Sequence, residues 1–401
     1  MTETASRTAF PPSADPFAPE VLRDPLPFHE RLREAGPVVY LERHGVHALA
    51  RYRHVHAALS DWQTFQSAAG VGLADFRREK PWRPPSLLLE ADPPLHDAPR
   101  AVLSRVVGPS TLRGLRDRWQ EEARALVDRV LHRSPAFDAV TELAQAFVLR
   151  VFPDAVGLGP EGREHLLPYG DHAFNAFGPP GALLARGAHR AAALSAWVDA
   201  QCSRERLAPG GFGAAIWAAA DRGDITERQA PLIVRSLLTA GVDTTVHGLA
   251  AALYAFAAHP GQWHRLREDP GLVRTAFDEA VRWESPVQTF FRTAACEVEI
   301  EGTTVPEGGK ILMFLGAANH DPRRWDDPRA FDLDRDPSGH VGFGMGLHQC
   351  VGQHVARLEA ESLLTALAER VEHIEPAGPP VRHLNNTLRA WESVPVRVRP
   401  L

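Results

Sequence analysis

A mainly α-helical fold with a small β-rich portion is predicted for this 401-residue chain, and three observations predict it. Long stretches rich in Ala, Leu and Arg repeat their apolar residues at helical spacing. Strand-like runs are confined to two short hairpin candidates. Prolines and glycines punctuate the gaps, with no low-complexity linker, internal repeat or abrupt change of charge. This last point predicts a flexible N-terminal segment over 1–16 and one large domain over 17–401.

The first hairpin joins the apolar run Val38-Val39-Tyr40-Leu41 to Val46-His47-Ala48-Leu49 through Arg43-His44-Gly45. Helical windows follow at 110–132, 141–157, 185–206, 226–258, 260–268 and 270–284. A second hairpin is expected from Glu297 to Phe314, turning around Pro306-Glu307-Gly308-Gly309, and a last helix over 350–371. Helix 226–258 opens on Thr226-Glu227-Arg228-Gln229, a capping box: the hydroxyl caps the amide three residues on, and the glutamine reaches back.

Hydrophobic residues make up 44% of the chain and charged residues 23%, with a net charge of −6, which describes a soluble globular protein and argues against a nucleic-acid partner. The start, MTETASRTAFPPSADPFAPEV, is polar and Pro-rich, and no window approaches 18 consecutive apolar residues. A cytoplasmic location without signal peptide or membrane anchor is expected. Cys202, Cys296 and Cys350 are too few and too scattered for a disulfide framework or a four-ligand zinc site, so each is read singly.

Four stretches carry chemistry. In His340-Val341-Gly342-Phe343-Gly344-Met345-Gly346-Leu347-His348-Gln349-Cys350-Val351-Gly352, glycines at alternate positions deliver a thiol on a backbone that something large can lie against. Ala240-Gly241-Val242-Asp243-Thr244-Thr245 places glycine, a carboxylate and two hydroxyls in an apolar helix. It reads either as a surface kink or as a buried acid beside an alcohol, suited to holding water or oxygen and relaying protons. Glu279 and Arg282 form an i,i+3 pair that by itself contributes only ~0.2–0.5 kcal/mol. His96 and Arg100 share a helical face, an arrangement that alone is ordinary solvated surface.

Taken in this order, the arrangement resembles the haem-thiolate monooxygenases of the cytochrome P-450 superfamily. The resemblance runs from the hairpin near Val38 to beyond the last helix and implies that superfamily's fold. It implies haem b, iron protoporphyrin IX, with Cys350 as the metal ligand; Phe343, Gly344, Gly352 and Ala240 would lie against the macrocycle. His96, Arg100, Arg292 and His348 match the residues that meet the haem propionates. Asp243 and Thr244 match the acid–alcohol pair that delivers protons for dioxygen activation. Glu279 and Arg282 look structural, fixing the cysteine loop through the stretch Asp321–Phe331, although relatives often carry an arginine where this chain has Ala330. Cys350, placed where helix 350–371 begins, is expected to have its thiolate stabilised by the helix dipole.

Arg235 and Ser236 lie inside the apolar run of helix 226–258, and positions 235, 239 and 243 recur on roughly one face. A guanidinium in a closed apolar cavity calls for an anion. Segments around Arg83, Phe174, Arg235 and Val287 are similar to the bacterial para-substituted benzoate monooxygenases, which O-demethylate 4-methoxybenzoate. That similarity implies a carboxylate clamp of Arg83, Ser86, Arg235 and Ser236, and apolar walls of Leu89, Phe174, Phe177, Val287 and Phe290. Thr239 stands where those relatives carry serine, narrowing the carboxylate end. Other small aromatic or hydrophobic acids, or a non-catalytic haem sensor of aromatic acids, are the alternatives. The chain has no flavin or iron–sulfur signature, so electrons must come from outside. The resemblance implies a [2Fe–2S] ferredoxin with an NADH-dependent ferredoxin reductase, and Arg100, Arg105, Arg113, Arg116 and Arg118 offer a basic landing site.

Overall fold

The computed structural model describes Pro11 and residues 13–401; most of the 1–16 segment expected to be flexible lies outside the described residues. Helices dominate and strands are short. Five of the expected windows appear as Pro109–Arg133, Ala182–Gln201, Pro260–Glu268, Val273–Glu284 and Gln353–Ala368. The 141–157 window opens instead as a π-helical turn, Val140–Gln145, before Ala146–Val156. Helices Leu26–Ala35, Asp97–Val106, Leu166–Asn175 and Phe212–Asp221 were not among the expected windows. Phe212–Asp221 is apolar on most of its surface, so it lacks the two-faced pattern that announces a helix.

Two expectations need correction. Helix 226–258 is two helices, Ala230–Ala240 and Asp243–Ala258, broken at Gly241-Val242. Its capping box is half formed: the Thr226 amide donates to Gln229 Oε1 at 2.8 Å, but the Thr226 hydroxyl donates to the same oxygen rather than capping an amide. The second hairpin is also smaller than expected. Val298–Ile300 pairs with Thr303–Val305 around Glu301-Gly302, while Lys310–Phe314 lies between Val46–Leu49 and Thr289–Ala294 in a five-stranded sheet. Lys310–Phe314 is buried along its whole length and so needs a neighbour on both edges. The first hairpin forms as expected, Val39–Leu41 against Val46–Leu49.

The Glu279–Arg282 pair is fully buried, which changes its weight. Arg282 makes two 2.7 Å hydrogen bonds to the carboxylate, through Nε and Nη2. Its other three N–H groups donate to the carbonyls of Asn319, Pro328 and Ala330, each at 2.9 Å. All five donors are thereby satisfied. The Asn319 side chain then accepts the Val341 amide at 2.8 Å, tying the pair to the segment that leads into Cys350. At Ala330 the carbonyl serves in place of a side chain, and Arg335 supplies the further cation, 3.3 Å from Glu279.

A second polar network joins the Leu166–Asn175 helix to the hairpin of Val381–Leu384 and Arg389–Ser393. His383 Nε2 lies 2.7 Å from Asp171, Asn385 donates to Asp171 at 2.9 Å, and Asn386 donates to Asn175 twice, from its amide at 3.0 Å and its side chain at 2.8 Å. Burial lowers the His383 imidazole, but the Asp171 hydrogen bond and charge more than reverse this, leaving it raised.

Glu279→Ala is expected to leave Arg282 as a buried unpaired cation and to cost about 3–5 kcal/mol, read as a lower denaturation midpoint at unchanged slope. A raised histidine stabilises most below its ordinary pKa of about 6.5 and stops contributing once pH passes the folded value. Hydrogen-exchange protection at Asn385–Thr387 is therefore expected to fall between pH 6 and pH 8.5, and that difference is expected to vanish in Asp171→Asn.

Candidate active site

Local chemistry shapes the cysteine loop first. Gly344 and Gly346 both adopt φ +66°, a left-handed conformation costly for residues with a side chain. At Gly346 a Cβ would also stand 2.8 Å from the Leu59 carbonyl oxygen, so the loop is held low by close backbone contact. The Cys350 amide donates to the Phe343 carbonyl at 2.8 Å, closing the loop on itself, and Arg357 covers the Phe343 ring at 4.7 Å.

The helix Gln353–Ala368 begins beyond Cys350 rather than at it, so the Gly352 and Gln353 amides face the sulfur. Burial pushes the Cys350 thiol up; the Gly352 amide, Arg100, Arg357 and the Gln353 amide oppose this without reversing it. The expected stabilisation is thus present but insufficient by itself, and a coordinated metal ion is the agent that deprotonates such a thiol. Cys202 is a buried thiol pushed up to about 12 by burial, an inert core residue.

Cations expected to face propionates gather nearby. His96 is buried with neither ring nitrogen hydrogen-bonded, its nearest charged neighbour being Asp97 at 3.5 Å. Its ring packs edge-on against His348 with centroids 4.9 Å apart. Arg292 is buried, donates to its neighbour's Phe291 carbonyl, and is lowered to about 10 by desolvation, with Asp92 raising it in part. Arg100 is half-buried and lowered by burial. His348 is differently placed: its ring nitrogens lie 3.0 Å from the Leu88 carbonyl and 3.1 Å from Asp92. Orphaned imidazole nitrogens and under-neutralised buried arginines are the donor set that a carboxylate-bearing macrocycle needs, so these residues fit haem. Asp92, which also accepts the Ser67 and Ala68 amides, was not foreseen.

At the break residue 241 has to be glycine, since a Cβ there would stand 2.3 Å from the Phe152 ring. Beyond it, hydroxyls take over carbonyls at the helix interruption: Thr244 donates to Ala240 at 2.6 Å and Thr245 to Gly241 at 3.1 Å. Asp243 is buried, with Oδ1 3.3 Å from His247 Nε2 and Oδ2 without a partner. The surface-kink reading therefore gives way to a buried acid beside an alcohol. Glu359, from the helix after Cys350, faces Thr245, and burial raises it well above the carboxylate range. Neither His247 nor Glu359 was foreseen, because single polar residues on apolar helices carry no distinctive spacing.

The substrate set divides into two ends. At the polar end Arg83 Nη1 and Arg235 Nη2 donate to one oxygen, the Pro84 carbonyl, at 3.0 and 2.6 Å. The Ser86 and Ser236 hydroxyls meet at 3.1 Å, and Thr239 turns back to the Arg235 carbonyl at 2.8 Å. Arg83 is neutralised by Glu90 at 2.9 Å. Arg235 is buried without a carboxylate; burial and then Arg83 lower it. At the apolar end Phe174, Phe177, Leu89, Val287 and Phe290 fall into one cluster, completed by Val71 and Leu388. The Phe174–Phe177 and Phe177–Phe290 ring pairs are both edge-to-face at 5.8 Å. The Leu89 amide donates to Ser86 Oγ at 3.2 Å, linking the two ends.

Of the basic residues proposed for docking, Arg105, Arg116 and Arg118 are paired with Asp224, Glu361 and Asp154. Among the described residues of that group, Arg113 is the exposed cation that lacks an ion-pair partner.

A family profile described as Cytochrome P450 matches residues 218–395. Cytochrome p450 CYP199A2 of Rhodopseudomonas palustris is 58% identical over 386 residues, covering 96% of this chain and 94% of that protein. The beta-dihydromenaquinone-9 omega-hydroxylase of Mycobacterium tuberculosis is 30% identical, covering 96% and 78%. Among solved structures, CYP108D1 of Novosphingobium aromaticivorans superposes with TM-score 0.84 at 26% identity, covering 96% of this chain and 97% of that one. CYP109Q5 of Chondromyces apiculatus gives 0.81 at 28% identity, covering 99% and 100%.

Gly346→Ala is expected to cost about 1–3 kcal/mol through its left-handed backbone and the Leu59 clash. Its haem content, read from the absorbance of the reduced, carbon-monoxide-treated protein, is expected to fall.

Proposed function

The chain belongs to the cytochrome P450 family, a monooxygenase family whose cofactor is haem b, and we propose that it oxidises para-substituted benzoic acids, demethylating 4-methoxybenzoate to 4-hydroxybenzoate. One observation carries this reading: a buried arginine, Arg235, has no protein carboxylate to neutralise it and stands with two serine hydroxyls at the polar end of a phenylalanine-walled cluster. A charge in that setting calls for an anionic ligand with an apolar body.

In this reading Cys350 would hold the haem iron and His96, Arg100 and Arg292 would meet its propionates, with His348 bracing that group through Asp92. Phe343, Gly344, Gly352 and Ala240 would lie against the macrocycle. Haem bound through a thiolate supplies reductive cleavage of dioxygen, one oxygen atom going to substrate and the other to water. Asp243 holds a proton at its unpartnered Oδ2, and Thr244 releases its hydroxyl from the Ala240 carbonyl to pass that proton on. Arg235, Ser86 and Ser236 bind the substrate carboxylate; Thr239 narrows that end. Leu89, Phe174, Phe177, Val287 and Phe290 sandwich the ring, so that only the para position is presented for oxidation. The two electrons come from a redox partner, proposed as a [2Fe–2S] ferredoxin with an NADH-dependent reductase, docking where Arg113 offers positive charge. No helix among the described residues is long and apolar enough to cross a membrane.

Saturating 4-methoxybenzoate is expected to shift the Soret band to shorter wavelength and, with a ferredoxin system and NADH, to yield 4-hydroxybenzoate and formaldehyde; an unmoved Soret band would defeat the substrate assignment. Arg235→Met is expected to weaken binding about 10- to 150-fold, the loss of a charged hydrogen bond of about 1.5–3 kcal/mol. Thr244→Ala is expected to keep substrate affinity while lowering product formed per NADH consumed.

A further inference from the structure

We propose that Glu90 sets the charge of the head group the pocket accepts, cancelling one of two clustered arginines so that a monoanion is taken and a dianion is turned away. The proposal rests on the aromatic-acid reading above and adds a residue that reading does not use.

Arg83 and Arg235 donate to the same Pro84 oxygen, so two guanidinium groups stand within hydrogen-bond reach of one atom, both largely out of solvent. Two such charges repel unless countered. The Glu90 side chain is 2% exposed, and its Oε2 accepts both Arg83 Nη1 at 2.9 Å and the Ser86 amide at 2.7 Å. Two positive charges less one negative leave a single net positive charge beside the Ser86 and Ser236 hydroxyls.

The surrounding groups leave that sum unchanged. Burial raises Tyr169, keeping its hydroxyl neutral, and lowers His172, keeping its imidazole neutral. Cys202 is a thiol, pushed up to about 12. Asp199, on Ala182–Gln201, acts on Arg235 from an exposed position where solvent screens it. Lys310, which also senses Glu90, is held by the carbonyls of Ala69, Gly70 and Gly72 and faces Asp75. A benzoate would therefore neutralise the site, whereas a dianionic head would leave one uncompensated buried negative charge.

Glu90→Gln is the discriminating change, because an amide oxygen can still accept from Arg83 and the Ser86 amide while the charge is gone. Holoenzyme is titrated at pH 7.5, following the Soret band, with 4-methoxybenzoate and with 4-methoxyphenyl phosphate, which is mostly dianionic above about pH 6. In Glu90→Gln the preference for the benzoate over the phosphate is expected to shrink about 10-fold or more relative to wild type. Comparing variants cancels the difference in head-group size. Arg83→Met, which leaves no net charge, is expected to weaken benzoate binding about 10-fold, and adding Glu90→Gln to it is expected to restore that binding. The reduced, carbon-monoxide-treated spectrum identifies which variants hold haem. If benzoate shifts the wild-type band but both ligands change by the same factor in Glu90→Gln, or the double variant regains nothing, Glu90 is structural and the proposal is overturned. If benzoate leaves the wild-type band unmoved, the aromatic-acid reading fails and takes this proposal with it.

Discussion

Burying the Glu279–Arg282 pair obliges the chain to satisfy every N–H of the guanidinium, and the carbonyls that take the three left over by Glu279 come from the segment leading to Cys350. Fixing Asn319 fixes Val341 through the Asn319 side chain, and from Val341 the loop of left-handed glycines runs to the thiol. An ion pair that would be nearly worthless on a surface becomes a brace when fully buried, because relaxing any one of its partners exposes a charge to a low-dielectric interior. The loop that carries the sulfur is thus braced by hydrogen bonds made outside it, at Asn319 and Val341, as well as by its own.

The same logic governs the other polar groups of the site. Where the Ala230–Ala240 and Asp243–Ala258 helices separate, backbone carbonyls are met by Thr244 and Thr245 hydroxyls, so the interruption is stabilised by the side chains whose chemistry it serves. Positive charge, by contrast, is left under-compensated in two places. One is Arg100 and Arg292, near the unpartnered ring of His96; the other is Arg235 beside Ser86 and Ser236. Buried cations without anions are costly, and these two groups are the basis on which anionic ligands are proposed.

Much of this was legible in the order of residues. The glycine-spaced cysteine, the Asp243-Thr244 pair and the Glu279–Arg282 spacing each have a local pattern, and the helices with two clear faces could be read from periodicity. The break at Gly241-Val242 escaped that reading because the apolar periodicity runs on across it, whereas the interruption is a matter of backbone geometry at two residues. The second hairpin was misread for a similar reason: Lys310–Phe314 pairs with strands far away in sequence, which no local turn signal reports.

By itself the sequence determined the helical class, the thiol and its loop and the acid–alcohol pair, because each depends on residue type and near-neighbour spacing, whereas the arginines and phenylalanines proposed to meet substrate rest on the resemblance of their segments to the benzoate monooxygenases. Only the tertiary structure decided which charges are cancelled. Glu90 neutralises Arg83, Asp92 engages His348, Arg335 attends Glu279, and Arg105, Arg116 and Arg118 lose their freedom to partners distant in the chain. The physical reason is that electrostatic worth depends on burial and on what lies within a few ångströms, and both are set by packing that brings together residues with no fixed separation in sequence.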